Sequence, residues 1–102
     1  MALTGKQMRH LRGLAHHLNP VVLVGDSGLT DAVVAKVDDE LENHELIKVR
    51  VAGDRDDVAA AGDLLVARTG AGLAGRIGKV LILYRRRRDG KPTIRLPRNE
   101  DS

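Results

Sequence analysis

The chain has 102 residues, of which 42% are apolar, one is aromatic and none is cysteine. This length suits one small domain with an aliphatic core, and the absence of cysteine excludes disulfides and thiolate metal sites. No segment reaches the roughly 20 apolar residues of a membrane span, and we expect a soluble, cytoplasmic protein.

The net charge of +3 combines segments of opposite sign. Residues 1–25 carry +3 and residues 76–98 carry +8, whereas residues 26–75 carry −6. If the two basic segments meet in the fold, one face carries about eleven positive charges, which is typical of a surface that binds a polyanion.

The first segment predicts an amphipathic helix. Thr4 and Gln7 have the spacing of a capping box. An apolar stripe at helical spacing runs from Met8 to Leu18, before Asn19-Pro20 ends the helix. The opposite face is basic and contains Arg9 and Arg12.

Residues 20–25 form a β-branched run, which we expect to be a strand buried on both faces. A second helix, acidic on its outer side, is predicted from about Thr30 to Asn43. Residues 45–51 then alternate as a strand, with Lys48 and Arg50 on its more polar face.

A third helix, capped by Asp54, ends at Gly70. Residues 73–78 and 79–85 predict two strands joined by a tight turn, residues 93–97 a short edge strand, and residues 99–102 a flexible tail. The order α-β-α-β-α-β-β predicts an α/β fold: a small mixed four-stranded sheet packed with helices, in one domain over residues 1–98.

Three glycine-containing loops resemble catalytic or nucleotide-binding motifs. Gly25-Asp26-Ser27-Gly28 resembles the loop around a protease nucleophile, but this chain is too short and too helical for the barrels such enzymes need. The glycines of residues 70–75 close a helix and precede a strand, which is the wrong polarity for dinucleotide binding. Gly78-Lys79 lacks the other residues of a P-loop.

The order of elements around residues 25–28 fits an anion-binding loop, because a strand precedes this turn and a helix follows it. Glycines let backbone approach a ligand closely, and N–H groups at a helix N-terminus favour an anion. A G-x-x-G loop clamps the nucleic-acid backbone in KH domains. The histidines lack metal-ligand spacing, and no acid–base pair emerges, so we expect no metal, no cofactor, no small-molecule substrate and no enzymatic activity.

Three stretches, "LTGKQMRHLRGLAHHLNPVVLVGDSGLT", "ENHELIKVRV" and "IGKVLILYR", together resemble the YhbY-type CRM domain of the chloroplast RNA splicing and ribosome maturation family. The resemblance implies a fold like the C-terminal domain of bacterial translation initiation factor three, RNA binding, and a G-x-x-G loop at Gly25 and Gly28. It also implies association with precursors of the large ribosomal subunit. This sequence departs from the family at the second position of the loop, which is the acidic Asp26. A carboxylate beside a phosphate is unfavourable unless Asp26 turns away to cap the second helix.

The hypothesis is therefore a monomeric protein that binds structured ribosomal RNA, mostly through phosphate. The alternatives are a nucleoid-type DNA-binding protein and a protein-interaction module that uses the acidic second and third helices. The candidate RNA-binding residues are Gly25, Asp26, Ser27, Gly28, Lys6, Arg9, Arg12, Lys48, Arg50, Lys79, Arg85, Arg86, Arg87 and Arg88.

Overall fold

The computed structural model describes residues 2–98, so the tail predicted at residues 99–102 lies outside the described residues. The elements are α1 (Gly5–Ala15), β1 (Pro20–Val24), α2 (Asp31–His44), β2 (Leu46–Val51), α3 (Arg55–Thr69), β3 (Gly72–Ile77) and β4 (Val80–Tyr84). The predicted order of helices and strands is confirmed.

The four strands form one mixed sheet in the order β1-β2-β4-β3. β1 and β2 are parallel, whereas β4 is antiparallel to both β2 and β3. The carboxyl ends of β1 and β2 therefore lie at the same end of the sheet as the turn between β3 and β4. We call this the loop end, and the opposite end, where β2 begins and β4 finishes, the arm end.

The sheet carries helices on both faces. α2 and α3 pack on one face over a cluster that includes Val37, Leu41 and Leu65, and α1 packs on the other with Leu11 and Ala15. β1 lies at the sheet edge, and α1 does not reach it. Leu23 is consequently 62% exposed, so the expectation that β1 is buried on both faces is wrong.

The helix ends follow the capping signals in the sequence. Thr4 and Gln7 form the predicted capping box, and Asp54 caps α3, which ends at Gly70 in the left-handed region (φ 77°). α1 is shorter than its apolar stripe predicted. It ends at Ala15, and Leu18 lies beyond it, largely accessible, with its carbonyl accepting a hydrogen bond from Lys48.

The segment after β4, residues 86–98, crosses the sheet on the α1 side, and we call it the C-terminal arm. Its Ile94 and Leu96 pack against the cluster beneath α1. The predicted edge strand at residues 93–97 is wrong, because the N–H groups of Thr93 and Ile94 donate to the Glu45 carboxylate rather than to a neighbouring strand. Of the helices described, none has the length and apolar character needed to cross a bilayer.

Candidate nucleic-acid interface

The loop at residues 25–28 is a tight turn between β1 and α2. The N–H of Gly28 donates to the Gly25 carbonyl at 3.0 Å and closes the turn. Gly28 has φ 75°, in the region that favours glycine, whereas Gly25 has an ordinary φ. A β-carbon at either glycine would meet nothing within 4 Å, so the outer surface of the turn is open to a ligand.

The loop presents backbone donors to this open side. Within residues 2–98, the N–H groups of Asp26, Ser27 and Leu29 donate to no acceptor. They lie just before the N-terminus of α2, whose dipole favours negative charge. The arrangement can therefore bind an anion such as a phosphate group through its backbone.

Thr30, not Asp26, caps α2. Its hydroxyl accepts from the N–H of Val33 at 3.2 Å. The possibility that Asp26 turns away to cap the helix is therefore wrong. Asp26 is exposed, and its carboxylate forms no hydrogen bond or ion pair among the described residues.

An open groove of about 290 Å³ lies beside the loop, between it and α3. Asp26, Asp57, Ala60 and Leu64 are among its lining residues. Asp57 is occupied by the capping box of α3, in which it accepts from the N–H of Asp54 at 2.9 Å. Carboxylate oxygens next to an apolar wall suit the amino group of a base better than a phosphate.

Basic side chains gather at the same end of the sheet. Arg50 is opposite Leu23 in the β1–β2 register, and the N–H of Val51 donates to the Lys79 carbonyl at 2.8 Å. Arg50 and Lys79 are exposed. Arg55 and Arg76 line a cavity together with Lys79. The sequence reasoning missed both arginines, since no local pattern places the start of α3 beside the end of β3.

The basic side chains of α1 differ in whether they contact the sheet. Lys6 and Arg9 are exposed. Arg12 instead lies across β3: its guanidinium donates to the Ala74 carbonyl at 3.0 Å, and a β-carbon on Gly75 would lie 2.6 Å from its Cδ. Arg12 is exposed as well, but it takes part in the packing between α1 and the sheet and does not project freely as expected.

The four arginines at residues 85–88, which we call the arginine run, differ most from the expectation that their side chains contact phosphate. Arg85 is 5% exposed, forms an ion pair with Asp38 and donates to the Thr69 carbonyl at 2.9 Å. Arg88 approaches Asp38 at 3.5 Å. The acidic residues of α2 thus neutralise part of the run within the chain, and Arg85 is not available to phosphate.

The other two arginines of the run also differ from each other. Arg87 is half-buried and donates to the Asn43 carbonyl at 2.9 Å. Arg86 is exposed and has no hydrogen bond or ion pair to any described residue. Of the four arginines, Arg86 is consequently the one best placed to meet a ligand.

The run and the glycine loop lie at opposite ends of the sheet. Tyr84 pairs with Leu46, the first residue of β2, while Gly25 follows Val24, which pairs with Val51, the last. At roughly 3.3 Å per residue, the two ends are about 17 Å apart. The arginine run and the glycine loop are therefore two separate regions, whereas α1 and the C-terminal arm pack on the same face of the sheet, where the Gln7 side chain donates to the Pro97 carbonyl at 3.0 Å.

Glu45 anchors the arm. This residue is fully buried, has φ 64°, and its carboxylate accepts from the N–H groups of Arg87, Thr93 and Ile94 and from the Thr93 hydroxyl. Burial opposes ionisation, but these donors outweigh it and lower the pKa of Glu45 from 4.5 to about 2. Backbone N–H groups of Arg88 and Asp89 similarly lower the pKa of Glu42.

Known relatives match nearly the whole chain. The model of the CRS1/YhbY (CRM) domain family matches residues 3–85. A Haemophilus influenzae protein named "RNA-binding protein" is 47% identical over 97 residues, which cover 94% of this chain and 96% of the relative. The Bacillus subtilis "Probable RNA-binding protein YqeI" is 41% identical over 99 residues, which cover 93% of this chain and 99% of the relative.

A solved structure agrees with the fold. The solution structure of SAV1595 from Staphylococcus aureus superposes with a TM-score of 0.82 at 39% sequence identity, covering 94% of this chain and 100% of that protein. With a family match over residues 3–85 and relatives of similar length, the chain belongs to the CRS1/YhbY (CRM) domain family.

Proposed function

We propose that residues 1–98 act as one non-enzymatic RNA-binding domain that holds structured ribosomal RNA in precursors of the large ribosomal subunit. The observation that carries the proposal is the loop end of the sheet. Three backbone N–H groups without a partner among the described residues, at residues 26, 27 and 29, lie at the same end of the sheet as the exposed cations Arg50 and Lys79. The names of the relatives support RNA as the ligand, and the ribosomal part of the proposal is what the resemblance to the family implies.

The site favours phosphate contact over base stacking. Tyr84 is the one aromatic residue of the chain, and it is buried at the arm end. Affinity should therefore depend strongly on salt, because each neutralised phosphate releases condensed counterions. The groove beside the loop can recognise a base to a limited extent, because Asp26 can accept a hydrogen bond from the amino group of an unpaired base.

Gly25→Glu tests the loop directly. Gly25 has an ordinary φ and open space around it, so the new carboxylate adds charge without backbone strain. We expect the variant to fold normally and to bind a structured RNA at least tenfold more weakly in fluorescence anisotropy. Ala67→Glu, which places the same side chain at an exposed position near the far end of α3, should bind as the original protein does.

Two further measurements define the ligand. Binding to a structured RNA should exceed binding to duplex DNA of equal length, and crosslinking in cells should recover precursor ribosomal RNA of the large subunit. Equal affinity for duplex DNA would favour a nucleoid role instead. A partner protein that remains bound after nuclease treatment, with no RNA recovered, would favour the protein-interaction alternative.

A further inference from the structure

A second cavity lies at the arm end of the sheet, away from the glycine loop. It has a volume of about 290 Å³ and is an open depression between the end of β4 and the returning C-terminal arm. Its lining residues are Tyr84, Arg86, Pro92, Ile94, Arg95 and Leu96. Five of the six belong to the arm, and all five lie beyond the residues that the family model matches.

The cavity is lined by a tyrosine whose hydroxyl has no partner among the described residues. Tyr84 is 2% exposed, and within residues 2–98 its hydroxyl forms no hydrogen bond. Burial, and then the charge of Glu45, raise the pKa of Tyr84 above its ordinary value of 10.0, so the phenol stays protonated and can donate. Unlike Arg85 Nε and Arg87 Nε, which are buried without a partner, the Tyr84 hydroxyl reaches solvent at the cavity and is free to bind a ligand.

Two arginines border the same cavity. Arg86 and Arg95 are exposed, and neither forms an ion pair or a hydrogen bond with another described residue. Glu45 acts in the opposite sense, since its charge reaches Tyr84. Its carboxylate is, however, already occupied by four donors. Two guanidinium groups against one carboxylate leave a net positive cavity.

The cavity is also held in shape. Glu45 binds the N–H groups of Thr93 and Ile94 at 2.6 and 2.9 Å and that of Arg87 at 2.9 Å. These bonds fix the backbone on both sides of the cavity wall. A ligand therefore meets a preformed site and does not have to order the arm.

The chemistry suits a nucleoside phosphate. Arginine binds phosphate through paired N–H donors, and the apolar side chains of Pro92, Ile94 and Leu96 offer a surface for a base or ribose. We propose that this cavity holds one nucleotide of the bound RNA, with its phosphate between Arg86 and Arg95 and the Tyr84 hydroxyl donating to it. The inference rests on the proposed function and adds a second contact point at the far end of the sheet.

Tyr84 provides its own assay, because it is the one tyrosine in a chain without tryptophan or phenylalanine. Adding a stem-loop RNA with a single-stranded extension should change its fluorescence. Arg86→Gln combined with Arg95→Gln should abolish that change, weaken binding several-fold and flatten the salt dependence by about 0.7 to 0.9 units for one lost phosphate contact. Tyr84→Phe, which keeps the ring, should weaken binding about three- to tenfold.

The control removes a positive charge elsewhere. Lys36→Gln, at an exposed position of α2, should leave both affinity and fluorescence unchanged. If the arm variant binds like this control while Gly25→Glu still weakens binding, the cavity is not a nucleotide site and the proposed function stands. If neither variant weakens binding, the proposed function fails as well.

Competitors identify the source of the phosphate. Millimolar adenosine monophosphate that reproduces the full fluorescence change and displaces no RNA would assign the cavity to a free nucleotide and overturn its role in RNA binding. An equal response to polyglutamate would overturn the preference for nucleoside phosphates. A response to RNA that exceeds both supports the proposal.

Discussion

Glu45→Gln tests the anchoring of the arm. One oxygen of the carboxylate accepts from Thr93 and Ile94, and the other accepts from the N–H of Arg87. The amide of glutamine keeps one acceptor but turns its NH₂ group toward a donor. At least one hydrogen bond is lost, and the others lose the strengthening that a charged acceptor gives.

The pKa of Glu45 sets the size of the effect. A lowering from 4.5 to about 2 corresponds to roughly 3 kcal/mol in favour of the ionised form in the folded state. Because solvent reaches the surrounding arm and screens the interaction, we expect Glu45→Gln to lower the free energy of unfolding by about 2 kcal/mol. For a domain of this size that is roughly 10 °C in Tm.

The lowered pKa of Glu45 also predicts how the stability of the protein depends on pH. The pKa of Glu45 is lower in the folded than in the unfolded chain, so its contribution is complete above about pH 4.5. It is lost as the pH falls through about 2. The original protein should lose this stability between pH 4.5 and 2, whereas Glu45→Gln should lose less over the same range.

Chemical denaturation at pH 7 and at pH 3 measures both effects, and hydrogen exchange at Thr93 and Ile94 reports release of the arm. Glu40→Gln is the matched control, since Glu40 lies in the last turns of α2, close to Glu45 in the chain, and its side chain has one polar partner among the described residues, His44 at 3.3 Å; it should change stability by less than about 0.5 kcal/mol. If Glu45→Gln is as stable as Glu40→Gln, the anchoring argument is refuted.

Three further predictions concern individual side chains. Arg85→Met should lower the free energy of unfolding by about 2 kcal/mol, since it leaves the partly buried Asp38 with only its longer ion pair to Arg88 and removes the donor to the Thr69 carbonyl; a melting point within 2 °C of the original would contradict this. Thr30→Ala should cost about 1 kcal/mol by removing the cap of α2, whereas Ser27→Ala, with no capping bond, should cost little in the same urea titration. Arg12→Ala should lower the free energy of unfolding by about 1 kcal/mol through its lost contact with the sheet. An unchanged urea midpoint would show that Arg12 does not stabilise this packing.

The sequence predicted the local elements well because their signals are local. The capping box at Thr4 and Gln7, the cap at Asp54 and the left-handed Gly70 are each specified within a few residues of the helix end. Apolar periodicity placed the three helices and four strands in the right order. The mixed sheet follows from that order, since alternating helices require crossovers and a short turn requires a hairpin.

The features that the sequence did not predict depend on residues far apart in the chain. Nothing in residues 20–25 shows that β1 lies at the sheet edge, because that depends on where β4 inserts. The charges in the sequence reveal the arginine run, but not that acidic residues of α2 neutralise part of it, because Asp38 is 47 residues from Arg85 in the chain. The position of the run relative to the glycine loop likewise follows from strand direction, which no single segment encodes.

The way Glu45 holds the arm has a consequence for how members of this family can diverge. Three of its four bonds go to backbone N–H groups, which every residue except proline supplies, and the fourth goes to the Thr93 hydroxyl. Apart from Ile94 and Leu96, which pack beneath α1, attachment of the arm therefore places little demand on the identity of its other side chains. Substitutions at Arg86 or Arg95 can alter what the arm binds without detaching it, so specificity at this end of the protein can evolve separately from the fold.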